Sequence, residues 1–223
     1  MVGEALELPS LDERHSVRSQ VIHALRAALV AGQMQPGQVY SAPVLAATFG
    51  VSPTPVREAM LELAKEGLVT TVPNKGFRVR ELSDRELDEV TDIRLLLEVP
   101  ATVRIVDLAT AGDLTRLRPM ANRLVATAKS KDLVAYVEQD RQFHLELLAL
   151  AGNAALVSLV AELRARSRLF GLASLAERGT LAASAGEHVR MLDLIEAADR
   201  AGLRRLMRAH IGHVRGSWAG RPE

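Results

Sequence analysis

The sequence predicts a mainly α protein in two unequal parts. A small three-helix unit closed by a β-hairpin comes first, and an all-α bundle of about six helices follows. Three observations carry this reading. Apolar residues recur at helical spacing through most of the 223 residues. Two short β-prone runs stand side by side at 68–72 and 76–80, and no strand pattern follows them. The charge divides at the same point: residues 14–80 hold eight Lys/Arg against three Asp/Glu, whereas residues 81–223 hold twenty of each.

In the first part, Val17, Val21, Leu25 and Leu29 stand at four-residue steps across 15–31, an amphipathic helix stopped by Gly32. Pro36-Gly37 then makes a turn, and Val39-Tyr40 a short extended piece. Residues 43–49 read as a short helix capped by Gly50. Ser52 is a good N-cap for the next helix and Pro53 suits its first position; Val56, Met60 and Leu63 form its apolar face. The runs 68–72 and 76–80 are joined by Pro73-Asn74-Lys75-Gly76, which has hairpin-turn chemistry. Three helices and a hairpin in this order make a winged helix-turn-helix.

Beyond the linker Glu81-Leu82-Ser83, Ser83 and Glu86 form a capping box for a helix running past Arg94 and Leu97. Further helices are expected at about 113–129, 132–151, 154–170, 184–199 and 200–218, with breaks at Gly112-Asp113, Lys131-Asp132, Gly152-Asn153 and 171–183. The expected domains are therefore 10–80, a winged helix-turn-helix, and 84–219, an all-α unit.

Composition narrows the function. The absence of Cys removes disulfide scaffolds, iron–sulfur clusters and thiol catalysis. Seven aromatic residues are too few to stack successive bases of a single strand. No apolar run approaches the ~18 residues of a membrane helix, and the acidic N-terminus is unlike a signal peptide. A cytoplasmic protein without membrane attachment is expected. The basic N-terminal third points to a polyanion-binding module joined to a neutral partner domain.

Readers of the major groove present the first turns of a helix to base edges. Thr54 and Arg57 lie there, off the apolar face; an Arg can bond guanine O6 and N7 in parallel. Ser52 and the free amides of the first turn suit a phosphate, and Lys75 and Arg78 of the hairpin suit the backbone or minor groove. For Arg57 the alternative is a surface salt bridge with Glu58 or Glu62. The segments Ser52-Pro53-Thr54-Pro55-Val56-Arg57-Glu58-Ala59, Glu66-Gly67-Leu68-Val69 and Pro73-Asn74-Lys75-Gly76 resemble the DNA-binding domain of GntR-type bacterial transcription regulators. The chain departs from many relatives at Pro53, where they carry Arg, and at Ala42-Pro43, where they carry Glu-Arg.

The second part holds another cluster. Asp140 and His144 share a helix face, and His188 and His210 stand on two later helices, each flanked by apolar residues. These four are either hydrogen-bonded core residues or an N₃O site for zinc, nickel, cobalt, manganese or iron with one position open. They resemble the ligand set of the FCD domain, the all-α partner domain of the FadR branch of GntR regulators. The resemblance implies one divalent metal per chain, with zinc placed first. It also implies a small organic acid as effector. Arg94, in an otherwise apolar stretch, needs an anion: Glu98 four residues on, or the effector. His213 reads as a surface residue, with a place behind the ligands as its alternative, and Pro100 should kink its helix.

The resulting expectation is a homodimeric transcription regulator on a short inverted repeat of double-stranded DNA, controlled by the acid at the metal pocket. The rivals are a metal-dependent hydrolase fused to a DNA-binding domain and an architectural nucleic-acid protein. Against the hydrolase, no Asp or Glu is placed as an obvious base; Glu146 and Glu187 are nearest in sequence.

Overall fold

The computed structural model describes residues 16–30, 32–81, 83–167 and 181–213. His15, Leu82, the ends of the expected domains at 10–15 and 214–219, the expected helix ends at 168–170 and 214–218, and most of the 171–183 break lie outside these residues. The first part contains α1 (Val17–Val30), β1 (Val39–Tyr40), α2 (Ala42–Phe49), α3 (Pro53–Lys65), β2 (Val69–Val72) and β3 (Gly76–Val79). The three strands form an antiparallel sheet in the order β1-β3-β2, with Tyr40 opposite Phe77 and Thr71 opposite Phe77 from the other side. At Gly76, where φ is +131°, a Cβ would fall 2.3 Å from the Tyr40 carbonyl oxygen. Only glycine lets the hairpin close on β1 there.

Val56, Ala59, Met60 and Leu63 bury one face of α3 against Leu25, Phe77 and their neighbours. Pro53 opens the helix and Ser52 holds the extended N-cap conformation, but the Ser52 side chain makes no cap hydrogen bond. The expected cap is thus present in backbone only.

The helical part comprises α4 (Asp84–Ile105), α5 (Ala111–Ser130), α6 (Leu133–Ala149), α7 (Ala154–Ser167), α8 (Leu181–Glu196) and α9 (Arg200–Gly212). The Ser83–Glu86 capping box forms as expected. A second box, between Thr110 and Asp113, starts α5 two residues earlier than Gly112-Asp113 suggests. The helix of α4 continues through Pro100 to Ile105. The carbonyl that loses its amide partner there belongs to Leu96, which is 74% exposed, so water can take the amide's place. No helix among the described residues is long and apolar enough to cross a membrane.

The two parts have separate apolar cores. They meet where α1 packs on α6, with Arg26 between Glu66 of its own unit and Glu138 of α6.

Candidate functional site

On α6, Asp140 and His144 are one turn apart and both buried; His188 of α8 and His210 of α9 are brought to them by the packing of the bundle. One ligand atom from each of the four lies within 4.8 Å of the others. The Nε2 of His144 is 3.0 Å from the Nε2 of both His188 and His210, and His188 Nε2 is 3.0 Å from Asp140 Oδ1.

Hydrogen bonding alone does not account for this group. His188 Nδ1 lies 3.0 Å from the Ala185 carbonyl and His210 Nδ1 2.7 Å from a Glu187 carboxylate oxygen. Both partners only accept, so each Nδ1 carries its ring's proton and each Nε2 presents a lone pair. These two lone pairs and Asp140 Oδ1 converge on His144 Nε2, which can donate at most one proton. An excess of acceptors around one point is the chemistry of a cation site. The residues fit a metal.

Electrostatics favour the unprotonated rings. Burial, followed by the Arg164 charge, holds His144 well below its ordinary pKa. Burial brings His210 down to about 3 despite the opposing Glu187 carboxylate.

Behind the cluster lies a buried ionic network. Arg94 Nε donates to Glu98 Oε1 at 2.6 Å and Arg94 Nη1 to Ser167 at 3.3 Å. Arg164 of α7 donates to Glu98 Oε2 through Nη2 (2.7 Å) and Nε (3.0 Å), and its Nη1 reaches Asp140 Oδ2 at 3.3 Å. Burial acts to raise the Glu98 pKa, but the two guanidiniums outweigh it and bring the group down to about 2. Burial also lowers Arg164, to about 10, which leaves it a cation at neutral pH.

The roles of two residues here escaped the sequence reading. Glu187 joins His210 Nδ1 to His213 Nε2, the latter at 2.9 Å. His213 therefore stands behind the ligands instead of on open surface, its side chain 23% exposed. Arg164 was legible in principle: with Val160 and Ser167 it forms a buried stripe at helical spacing, the same signal that marks Arg94.

In the other unit, Ser52, Thr54, Arg57, Lys75 and Arg78 are all exposed. Among the described residues neither Arg57, Lys75 nor Arg78 has an ion pair. Glu62, the expected competitor for Arg57, is held instead by Arg18 of α1 at 2.6 Å.

Residues 89–213 match the family model of the FCD domain, and residues 17–79 that of bacterial regulatory proteins, gntR family. The chain is 30% identical to the HTH-type transcriptional regulator McbR of Escherichia coli over 151 residues, which is 68% of each protein. The solved structure of E. coli McbR superposes with a TM-score of 0.69 at 28% identity, covering 89% of this chain and 94% of that one. The chain is also 31% identical to the gluconate operon transcriptional repressor of Bacillus subtilis over 125 residues, 56% of this chain and 51% of that protein.

Proposed function

The chain belongs to the gntR family of bacterial regulatory proteins with an FCD domain, a family of transcription regulators and not of enzymes, and from that premise we propose that a small carboxylate bound at a metal-containing pocket controls its grip on DNA. The observation that carries this reading is the convergence of Asp140, His144, His188 and His210 in one buried cluster. The hydrolase and architectural readings have no comparable support: Glu187, the nearest carboxylate, is committed to His210 and His213.

The ion would be held by those four side chains, zinc before nickel, manganese, cobalt or iron, and would supply a Lewis-acidic position for an anion. Charge explains the preference for an acid. Arg94 and Arg164 face Glu98 and Asp140, and Glu187 adds a third carboxylate behind His210, so a divalent ion would leave this group with one surplus positive charge. A carboxylate offsets it. Arg94 stands between Glu98 and Ser167 and would orient the effector from that position.

On DNA, Arg57 and Thr54 would read base edges while Ser52, Lys75 and Arg78 hold phosphates. A homodimer on an inverted repeat is supported by exposed apolar side chains, Ile93 and Leu96 one turn apart on α4 and Leu159 on α7. The units at 10–80 and 84–219 would act as DNA-binding and effector domains of a cytoplasmic repressor. Effector occupancy shifts such an equilibrium only by its different affinity for the two arrangements, and couplings of about 1–3 kcal/mol are usual.

The test is a gel shift of metal-loaded protein on its own upstream region, with a panel of organic acids. Release or recruitment by one acid, abolished by chelation, is the expected result. Indifference to every acid in both metal states would overturn the reading.

A further inference from the structure

The acidic residues among residues 14–80 are Glu58, Glu62 and Glu66, all on α3 or at its end. Two of them are neutralised by α1: Arg18 holds Glu62 at 2.6 Å, and Arg26 holds Glu66. Glu58 is exposed and has no ion pair among the described residues. Its neighbours one turn away on the helix are Thr54, Pro55, Leu61 and Glu62, none of them a cation. Arg57 adjoins it in sequence, but adjacent helical residues do not face each other.

The place of this unpaired charge gives it meaning. Glu58 follows Thr54 by four residues, so the two share an exposed face near the start of α3, with Arg57 beside them. That is the face a helix offers to the major groove. A free carboxylate there is repelled by the phosphates, whose attraction for cations dominates binding to DNA of any sequence. It lowers affinity everywhere except where a base offers it a proton.

The four bases differ in this respect. A carboxylate only accepts hydrogen bonds. In the major groove cytosine presents its N4 amino group alone, adenine sets the N7 acceptor beside its N6 donor, and guanine and thymine present acceptors. Cytosine is therefore the base that suits an acceptor-only side chain.

We propose that Glu58 is a specificity-determining residue that accepts a hydrogen bond from a cytosine N4, and whose charge rejects the other bases and random DNA. This rests on the reading of α3 as the helix that enters the groove with Thr54 and Arg57. Within that reading the two neighbours act oppositely. Arg57 adds attraction to the DNA as a whole, whereas Glu58 subtracts from every site that lacks the cytosine.

The test is a selection from randomised duplex DNA at one salt concentration, with full-length wild type, Glu58→Ala, Glu58→Gln and Arg57→Ala. Each protein is then titrated with the duplex the wild type selects and with random DNA. The wild-type motif should contain a cytosine for which Glu58→Ala has no preference. Glu58→Gln should move that preference to adenine, since a glutamine amide can bond N6 and N7 together. In Glu58→Ala the ratio of selected to random affinity should fall about fivefold or more, and random DNA should bind more tightly than it does to wild type. Circular dichroism should be unchanged in both variants. A cytosine retained by both variants, an equal gain in affinity for selected and random DNA, or loss of the helical signal in both would each overturn the proposal. If Arg57→Ala keeps the wild-type motif, α3 is not the reading helix and both assignments fall. If Arg57→Ala loses the motif while the Glu58 variants keep it, the assignment of Glu58 falls alone.

Discussion

Arg164 Nη1 lies 3.3 Å from Asp140 Oδ2, while the other oxygen of that carboxylate, Oδ1, faces His188 Nε2 at 3.0 Å. The carboxylate is thereby divided: a buried cation fixes one oxygen and the other is turned toward the three imidazoles. Arg164 is fixed in turn by Glu98, which accepts from both its Nε and Nη2. A helix that carries no ligand thus sets the orientation of one that does.

Arg164→Lys keeps the charge and removes the fork that spans Glu98 and Asp140. Metal affinity should fall about 10–100-fold, the usual effect of losing a group that orients a ligand. Competition with a chromophoric chelator measures it. An unchanged affinity in folded variant would show that Asp140 holds its position without help.

Glu187→Gln removes the carboxylate that accepts from His210 Nδ1 and bridges to His213. His210 should become a weaker donor and its ring freer to rotate, again costing about 10–100-fold in metal affinity. His213→Ala should cost less, because Glu187 keeps its bond to His210. If the two substitutions have equal effects, Glu187 acts mainly through His213.

The contrast between Asp140 and Glu187 shows what was legible in the sequence. Asp140 and His144 declare themselves by their four-residue spacing, and each imidazole by its apolar neighbours, because helical periodicity alone decides which face is buried. Glu187 adjoins His188 in sequence, yet adjacent helical residues point about 100° apart, and Glu187 reaches His210 only because α8 packs on α9. That packing is tertiary, and His213 was read as surface for the same reason. Helix termini were misread where a cap competed with a glycine. Thr110 and Asp113 satisfy two amides and draw Gly112 into α5, whereas glycine at 112 alone suggested a break.

Glu98 gives the bundle a dependence on pH. Its pKa is about 2 in the folded protein against 4.5 ordinarily, so the unfolded chain takes up the proton first as pH falls. The stabilisation is complete above pH 4.5 and is lost as pH drops toward 2; the whole gap corresponds to about 3 kcal/mol. Between pH 5.5 and 3.5 the wild type should lose about 1 kcal/mol more than Glu98→Gln in urea unfolding. The variant will be less stable at every pH, since it leaves Arg94 and Arg164 short of a counter-ion. Parallel pH profiles for the two proteins would refute the assignment.

Arg57→Ala should erase the preference for operator over random DNA while leaving the fold intact, because Arg57 is exposed and bears no ion pair among the described residues. A bidentate base contact contributes roughly 1–3 kcal/mol of discrimination. Lys75→Ala, on the hairpin turn, should instead weaken all DNA alike and lower the salt dependence by about one ion. Binding isotherms at several salt concentrations separate the two. A uniform loss for Arg57→Ala would reassign that residue to the phosphate backbone.

The last prediction concerns the ion itself. Wild-type protein should carry about one divalent metal per chain, and His144→Ala and His210→Ala should carry much less by elemental analysis. An ion that binds only the folded state and is present at 100 times its Kd adds about 2.7 kcal/mol. For a chain of this length that is about 5–10 °C in Tm. Alanine in a packed site also leaves a cavity, so a lower Tm in the variants is ambiguous taken alone. Chelation resolves it. Removing metal should lower the Tm of the wild type by that amount and leave both variants where they were, since they have no ion to lose. Equal, negligible metal in all three proteins after reconstitution would mean that the three imidazoles are core residues sharing protons, and that any effector is held by Arg94 and its neighbours without an ion.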